Sequence, residues 1–470
     1  MEKSYWQKNV KLPNYEKLKQ DLKTDILIIG GGITGIMCAY YLKDSPYQVT
    51  LVEKDCIASQ ATGKMTGKIS YIHGTKISKI KEDFDELSAL KYLKANLEAY
   101  TKIQEIIKIN HIECDYEVAP QYFYSNHSQN DLEKEYQILK ECHLDVEMKN
   151  GQLIVYPLAT FNPLKYIQHI LTILNNTTIY EHTTITSHTK KQGKHFLKTD
   201  FFCEIEAKYV IVATRFPIFN FPSMYFLRMH QVRSTLFLRP KLKSEVVLCI
   251  DKPIYSRRFI HEFQIEVKNE RLVGDPLINL SKKAVMSAWH SQDTVSHDGL
   301  AFIGYYHRND KTMFVASGYD KWGVTLSHVS AQLISDLILG QENEYQDLFT
   351  PQRFKPITSM APFSKLMIRT MKAEVVDRII VSNETLEQTS QNSGAIIECN
   401  GRQVAIYKDE QGIYHGFIPV CSHLGCILKY NSQEHTFECP CHGSRYDLNG
   451  KVVDGPAIFD LENVNIENLD

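Results

Sequence analysis

Two short boxes near the C-terminal end constrain this chain more than any other feature in it. The first reads Cys421-Ser-His423-Leu-Gly-Cys426 and the second Cys439-Pro-Cys441-His442-Gly-Ser444, with twelve residues between them. Each box places a Cys and a His in a tight, glycine-containing turn, and together they hold four of the eleven cysteines. Thiolates and neutral imidazoles at such spacing ask for a metal. A structural zinc site is one answer, but zinc ribbons usually read C-x-x-C twice, and six potential ligands are too many for one zinc. Two thiolates on one iron and two imidazoles on a second form the other answer, a cluster less negative than an all-cysteine one.

The segments around these boxes are short and strand-like, separated by Asn, Gly and Asp: Gly394 to Cys399, Gln403 to Tyr407, Gly412 to Pro419 and Thr436 to Cys439. That pattern predicts a small all-β module over 376–470. Upstream of it, Thr350-Pro-Gln-Arg-Phe-Lys-Pro356 carries two prolines and no clear periodicity, which suits a linker over 351–375.

The N-terminal part has a different texture. Asp25 to Ile29 reads as a strand, Ile33 to Lys43 as a helix and Gln48 to Glu53 as a second strand. Between the first two lies Gly30-Gly31-Gly32-Ile33-Thr34-Gly35, a G-x-G-x-x-G turn in the strand-to-helix context the motif requires. Gly30, Gly32 and Gly35 permit a tight turn and a close approach of a pyrophosphate to the helix N-terminus. Glu53 follows Gly30 by 23 positions, where an acid accepts hydrogen bonds from a ribose. By itself the motif suits NAD or FAD. Residues 84–110 show a helical spacing of Leu87, Leu90, Leu93 and Leu97, Ala207 to Thr214 reads as a buried strand, and 324–340 reads as a helix ending at Gly340.

The paired C-x-H-x-G-C and C-P-C-H-G-S boxes resemble those of Rieske proteins, of the kind found in cytochrome bc complexes, over about the last 95 residues. The resemblance implies that Cys421 and Cys439 ligate one iron and His423 and His442 the other. It also implies a disulfide between Cys426 and Cys441, hydroxyl hydrogen bonds from Ser444 and Tyr446 to sulfur, and a covering loop at Gly455-Pro456-Ala457. The ligand histidines are expected near the surface, where they would meet an electron acceptor or donor.

Further segments decide between NAD and FAD. Ser59-Gln-Ala-Thr62-Gly63-Lys64, Val210-Ile-Val-Ala213-Thr214, Asp298-Gly-Leu-Ala-Phe-Ile-Gly304 and Gly318-Tyr-Asp-Lys-Trp322-Gly323-Val-Thr325 together resemble the D-amino-acid oxidase and glycine oxidase superfamily of FAD-dependent oxidoreductases, over residues 20–345. The resemblance implies FAD contacts at Thr62, Gly63, Ala213, Gly318, Trp322, Gly323 and Thr325, beside those of the glycine turn and Glu53. Two departures stand out. Lys64 replaces the Arg usual after Thr-Gly, and Ala-Thr-Arg-Phe-Pro replaces a plain Ala-Thr-Gly after the second flavin strand.

The expected fold class is therefore α/β: a Rossmann-like FAD-binding domain with a mixed α+β substrate domain over 1–350, then a small all-β Rieske domain. The expected cofactors are FAD and a [2Fe–2S] cluster. The expected activity is oxidation of a small amine or amino-acid-like molecule, with a redox sensor or electron-transfer adaptor as the alternative. A ring-hydroxylating oxygenase is disfavoured, because no further 2-His-1-carboxylate iron site is legible. Substrate-orienting candidates are His73, His230, Arg233, Arg258 and His261, with Arg258 and His73 in front, although such arginines are commonly surface or salt-bridged groups. A net charge of −2 gives no reason to expect nucleic acid as a partner. The stretch Ile26 to Leu42 is too interrupted by glycine for a membrane span, and the polar N-terminus lacks a secretory h-region, so a cytoplasmic protein is expected.

Overall fold

The computed structural model describes residues 3–242, 245–251, 254–275, 285–353, 356–372, 386–399 and 401–465. The expected boundary between residues 375 and 376 lies outside these described residues.

The glycine turn sits at the centre of the first sheet. Its strand, Leu22–Ile29, is fully buried from Ile26 onward and pairs in parallel with Val49–Val52 on one side and Glu204–Val212 on the other. Thr177–Tyr180 extends the parallel array beyond Val49–Val52, and Asp310–Ser317 extends it beyond Glu204–Val212. Parallel strands buried on both faces read as continuous apolar runs, which is how this sequence reads. The helix Ile33–Tyr41 leaves the turn and packs on Gly323–Leu339, which Gly340 ends in a left-handed conformation.

A second, mostly antiparallel sheet lies beside it. Its strands run in the order Ser287–Ser296, Met229–Pro240, Phe263–Leu272, Tyr255–Ile260, Val246–Cys249, Glu117–Tyr124, Gln152–Thr160 and Lys68–Ile69. The segment from Thr62 to Ile69 therefore passes from the dinucleotide sheet into the second one. The N-terminal helix Tyr5–Asn9 pins that passage. Ser4 caps the helix and its hydroxyl bonds the Gly63 carbonyl, while buried Trp6 donates to Met65 O at 2.7 Å. Sequence periodicity did not reveal this helix, because five residues are too few to show a stripe. Truncating Trp6 would cost about 3–5 kcal/mol.

The long helix Glu86–Ile109 forms as expected, but its buried face is Ala89, Tyr92, Leu93, Asn96, Ala99, Tyr100 and Ile103, while Leu87 is 64% exposed. Two tyrosines and three alanines share the packed stripe with Leu93, while Leu87 and Leu90 fall outside it. Pro356–Met371 is also helical, inside the stretch read as a linker. The C-terminal module is built from two four-stranded sheets, among the described residues: Ser393–Cys399, Arg402–Lys408, Tyr414–Phe417 and Asn463–Val464 in one, and Lys429–Asn431, Thr436–Glu438, Arg445–Tyr446 and Val452–Asp454 in the other. No helix among the described residues is long and apolar enough to cross a membrane.

Candidate functional site

The glycines of the turn have distinct local tasks. Gly30 has φ +111° and an added Cβ would lie 2.6 Å from the Ala213 carbonyl oxygen, so this position serves close strand packing. An added Cβ at Gly35 would run into the Gly30 carbonyl, so it serves helix-to-strand packing. At Gly32 the same test meets only the Thr62 hydroxyl, at 3.3 Å. Gly32 thus keeps open the space in front of the helix N-terminus, the cradle a pyrophosphate needs. Glu53 accepts from Gly31 N at 2.6 Å and Asp55 N at 2.9 Å, and burial raises its carboxyl despite those bonds. The Thr62 hydroxyl accepts from Ile33 N at 2.9 Å.

A cavity of about 430 Å3 opens from this cradle. Gly30, Gly32, Glu53, Thr62, Ala213, Gly318, Trp322, Gly323 and Thr325 all line it, so nine of the expected cofactor positions converge. Gly35 and Gly63 do not line it; a Cβ at Gly63 would run into the Ala58 carbonyl, which makes it another packing glycine. The N-terminus of Gly323–Leu339 carries no side-chain cap and its first residues border the cavity, so a helix dipole faces the space expected to hold the flavin ring. These features fit FAD.

The substrate candidates separate clearly. His73 lines the cavity and stacks on Trp322 at 4.3 Å. Its Nε2 donates to the Ser70 carbonyl at 3.0 Å and its Nδ1 accepts from Tyr92 OH at 2.7 Å, so the ring is held neutral, and burial pushes its pKa well below 6.5. Arg258 is corrected: its guanidinium is spent on the Thr66, Gly67 and Phe161 carbonyls and lies over Trp6, away from the cavity lining. Arg233 is buried in ion pairs with Glu434 and Asp454. His230 lies beside His297 with the two rings tilted by 33°, and His261 is exposed at a hairpin turn. Among the cationic side chains that line the cavity is Lys68, whose Nζ meets the Ser256 hydroxyl. Burial, with Arg258 nearby, lowers its pKa to about 7. The Ser234 and Thr294 hydroxyls also line the cavity without a hydrogen-bond partner. Sequence gave no signal for these residues, because they alternate with apolar neighbours as any sheet residue does.

In the C-terminal module, Cys421 and Cys439 are buried thiols, and Cys426 is bonded to Cys441. The His423 and His442 rings lie edge to face at 4.9 Å. Both Nδ1 atoms are buried without a hydrogen-bond partner. Two orphaned imidazole nitrogens beside two buried thiols form a donor set of the kind a metal centre requires. The Cys439 thiol hydrogen-bonds Cys421 and pushes its pKa down, and burial opposes that shift. Tyr446 OH points at Cys421 Sγ from 3.5 Å, and Ser444 Oγ accepts from Ala457 N at 3.0 Å. The donor set fits a [2Fe–2S] cluster.

The expectation that these histidines face the surface is corrected. His442 is 3% exposed. His423 Nε2 donates to Asn220 Oδ1 at 2.7 Å, and the His442 ring hydrogen-bonds the main chain of Phe226. Gln231 donates to the His442 and Gly455 carbonyls at 2.7 and 2.8 Å, and Gln292 donates to Gly443 O at 2.8 Å. The cluster loops thus press into the N-terminal part of the chain. Residues 454–458 line the same cavity as the glycine turn.

Known proteins agree with this picture. The family described as FAD dependent oxidoreductase (DAO) matches residues 25–216, and that described as Rieske [2Fe-2S] domain matches residues 381–465. A protein of Bacillus subtilis (strain 168) named for a Rieske 2Fe-2S centre, YhfW, is 28% identical over 99% of this chain and 98% of its own length. The cytochrome b6-f complex iron-sulfur subunit of Synechococcus sp. (strain WH7803) is 52% identical over 12% of this chain and 32% of its own length. Glycine oxidase from Geobacillus kaustophilus shares the fold with TM-score 0.59 at 13% identity, over 71% of this chain and 99% of that one. The chain is therefore an FAD-dependent oxidoreductase, with a DAO-family domain followed by a C-terminal Rieske [2Fe–2S] domain.

Proposed function

We propose that the protein oxidises a small amine or amino-acid-like molecule in the cavity and passes the electrons through the Rieske cluster to an acceptor outside the chain. The observation that carries this reading is one cavity walled by the dinucleotide cradle, the second sheet and residues 454–458 of the Rieske module. FAD, when bound, supplies the hydride acceptor.

The chain's own residues then bind and orient. Lys68 offers a cation for a substrate carboxylate, backed by Ser256. Ser234 and Thr294 offer hydroxyls for the rest of the molecule. His73 positions Trp322 by stacking and Thr325 by a 3.2 Å contact. Cys421, Cys439, His423 and His442 would hold the two irons, and Gly32 with the helix Ile33–Tyr41 would hold the pyrophosphate. The division proposed is 1–350 for the flavin part, 351–375 for the connection and 376–470 for the Rieske part. Cytoplasmic residence is supported by Cys38, Cys56, Cys114, Cys142, Cys203 and Cys249, none of which forms a disulfide.

Anaerobic titration of the purified protein with amines and 2-amino acids tests the reading. Bleaching of the flavin followed by reduction of the cluster supports it. A flavin that no amine or amino acid bleaches, with a cluster that still follows the ambient potential, supports the sensor or adaptor instead.

A further inference from the structure

We propose that the loop between Ala213 and Arg228 is a built-in electron bridge, on which the Rieske domain is permanently docked with its cluster imidazoles facing inward. The inference rests on the cofactor placement proposed above.

The loop leaves the central strand Glu204–Val212. Its first residues, Ala213 to Phe216, line the cavity. The ring of Phe216 also lies edge-on to both imidazoles, 6.2 Å from His423 and 6.4 Å from His442. Phe226, at the far end of the loop, approaches the same rings at 6.3 and 5.8 Å. Between them Asn220 holds His423, and the Phe226 main chain holds His442. One loop therefore forms a wall of the cavity and contacts both imidazoles, of which His442 is buried and His423 half-buried.

The docking has its own clamp. Arg233 and Arg271 from the second sheet meet Glu434 and Glu438 of the Rieske module, and Arg445 pairs with Glu434, Glu438 and Asp454. Arg215 of the loop reaches Asp454 at 2.9 Å. These ion pairs, with the Asn220, Gln231 and Gln292 hydrogen bonds, tie the two modules at several points and fix one register between them. Both departures in the sequence acquire a reason. Arg215-Phe216 supplies the ion pair and the ring contact. Lys64 bonds Gln60, which reaches Val453 O at 3.4 Å, so it too faces the Rieske module.

With both imidazoles turned toward this loop, they face the cavity side of the molecule, and transfer from the cavity would run within one chain. Oxidation of a substrate releases two electrons. A [2Fe–2S] cluster held by Cys421, Cys439, His423 and His442 would accept them one at a time. A one-electron redox protein outside the chain withdraws the first before the second follows, and the protons go to water.

The test uses the holoprotein after flavin and iron assay; absence of either would overturn the cofactor assignment rather than the bridge. Under anaerobic illumination with a sacrificial donor, the cluster's EPR signal should grow at a first-order rate that is unchanged over a hundredfold range of protein concentration. A rate proportional to concentration would overturn the proposal. Phe216→Ala, or Phe216→Leu if the first fails to fold, should slow that growth at least tenfold with flavin and iron retained; an unchanged rate removes Phe216 as the bridge. Diethyl pyrocarbonate should spare His423 and His442 while labelling exposed His435, as read by mass spectrometry. Equal labelling of all three would overturn permanent docking.

Discussion

Asn220 Oδ1 accepts a 2.7 Å hydrogen bond from Nε2 of His423, 203 positions further along the chain. The bond fixes the tautomer, because a proton on Nε2 leaves the Nδ1 lone pair free for iron. Outer partners of this kind are worth about 10–100-fold in metal affinity. Asn220→Ala should release iron to a chelator faster by a factor of that order, while flavin content stays unchanged. Equal release rates would show that Asn220 does not hold the ligand.

Glu434 is the hub of the buried ion network, paired with Arg233, Arg271 and Arg445. Glu434→Gln removes the charge and leaves three guanidinium groups short of a partner, at a cost of about 3–5 kcal/mol. The urea midpoint, followed by cluster absorbance, should fall accordingly. A variant as stable as the parent would show that the network contributes specificity and no stability.

The same network gives stability a pH dependence. Burial holds His290 down at about 4, against an ordinary 6.5; Arg233, Arg445 and Arg271 add to this and Glu434 opposes it. A depressed histidine contributes stability that is full above pH 6.5 and is lost as pH falls towards 4. Burial alone would raise the Glu434, Glu438 and Asp454 carboxyls, but the arginines outweigh it and hold all three below their ordinary range. Their contribution is full above the ordinary carboxylate values of 4.5 and 3.8 and is lost below them. Each carboxylate can then remove about 1.4 kcal/mol per pH unit. Thermal scans should show stability declining below pH 6.5 and steeply below 4.5, and a curve flat between pH 7 and 4 would contradict this.

The glycine turn separates cofactor binding from folding. Gly32→Val fills the cradle without meeting main chain, so it should empty the flavin site and leave the folded apoprotein intact. Gly35→Ala drives a methyl into the Gly30 carbonyl and should destabilise the fold itself. Flavin content and circular dichroism of the two variants distinguish these outcomes.

Lys68→Met removes the cation beside Ser256 from the cavity wall. A hydrogen bond to a charged group is worth about 1.5–3 kcal/mol, so carboxylate ligands should bind roughly 10–100-fold more weakly. Uncharged amines should be unaffected. Titration of flavin absorbance with both ligand classes checks this, and equal losses for both would mean that Lys68 does not read a carboxylate.

The sequence by itself determined the two local constructions. The glycine turn with Glu53 and the paired Cys–His boxes are legible because ligand type and spacing within a few residues decide what a turn can hold. The parallel strands were legible for a similar reason, since burial on both faces leaves continuous apolar runs. Tertiary structure alone decided how the two constructions meet. Arg233 and Arg271 carry charges that ordinarily lie in solvent, and only their approach to Glu434 and Glu438, across 201 and 167 positions, makes burial affordable. Arg258 looked available for a carboxylate until three carbonyls from distant turns enclosed it. The inward direction of His423 and His442 was equally hidden, because it depends on Asn220, Phe226 and Gln231, which no short-range pattern ties to the boxes.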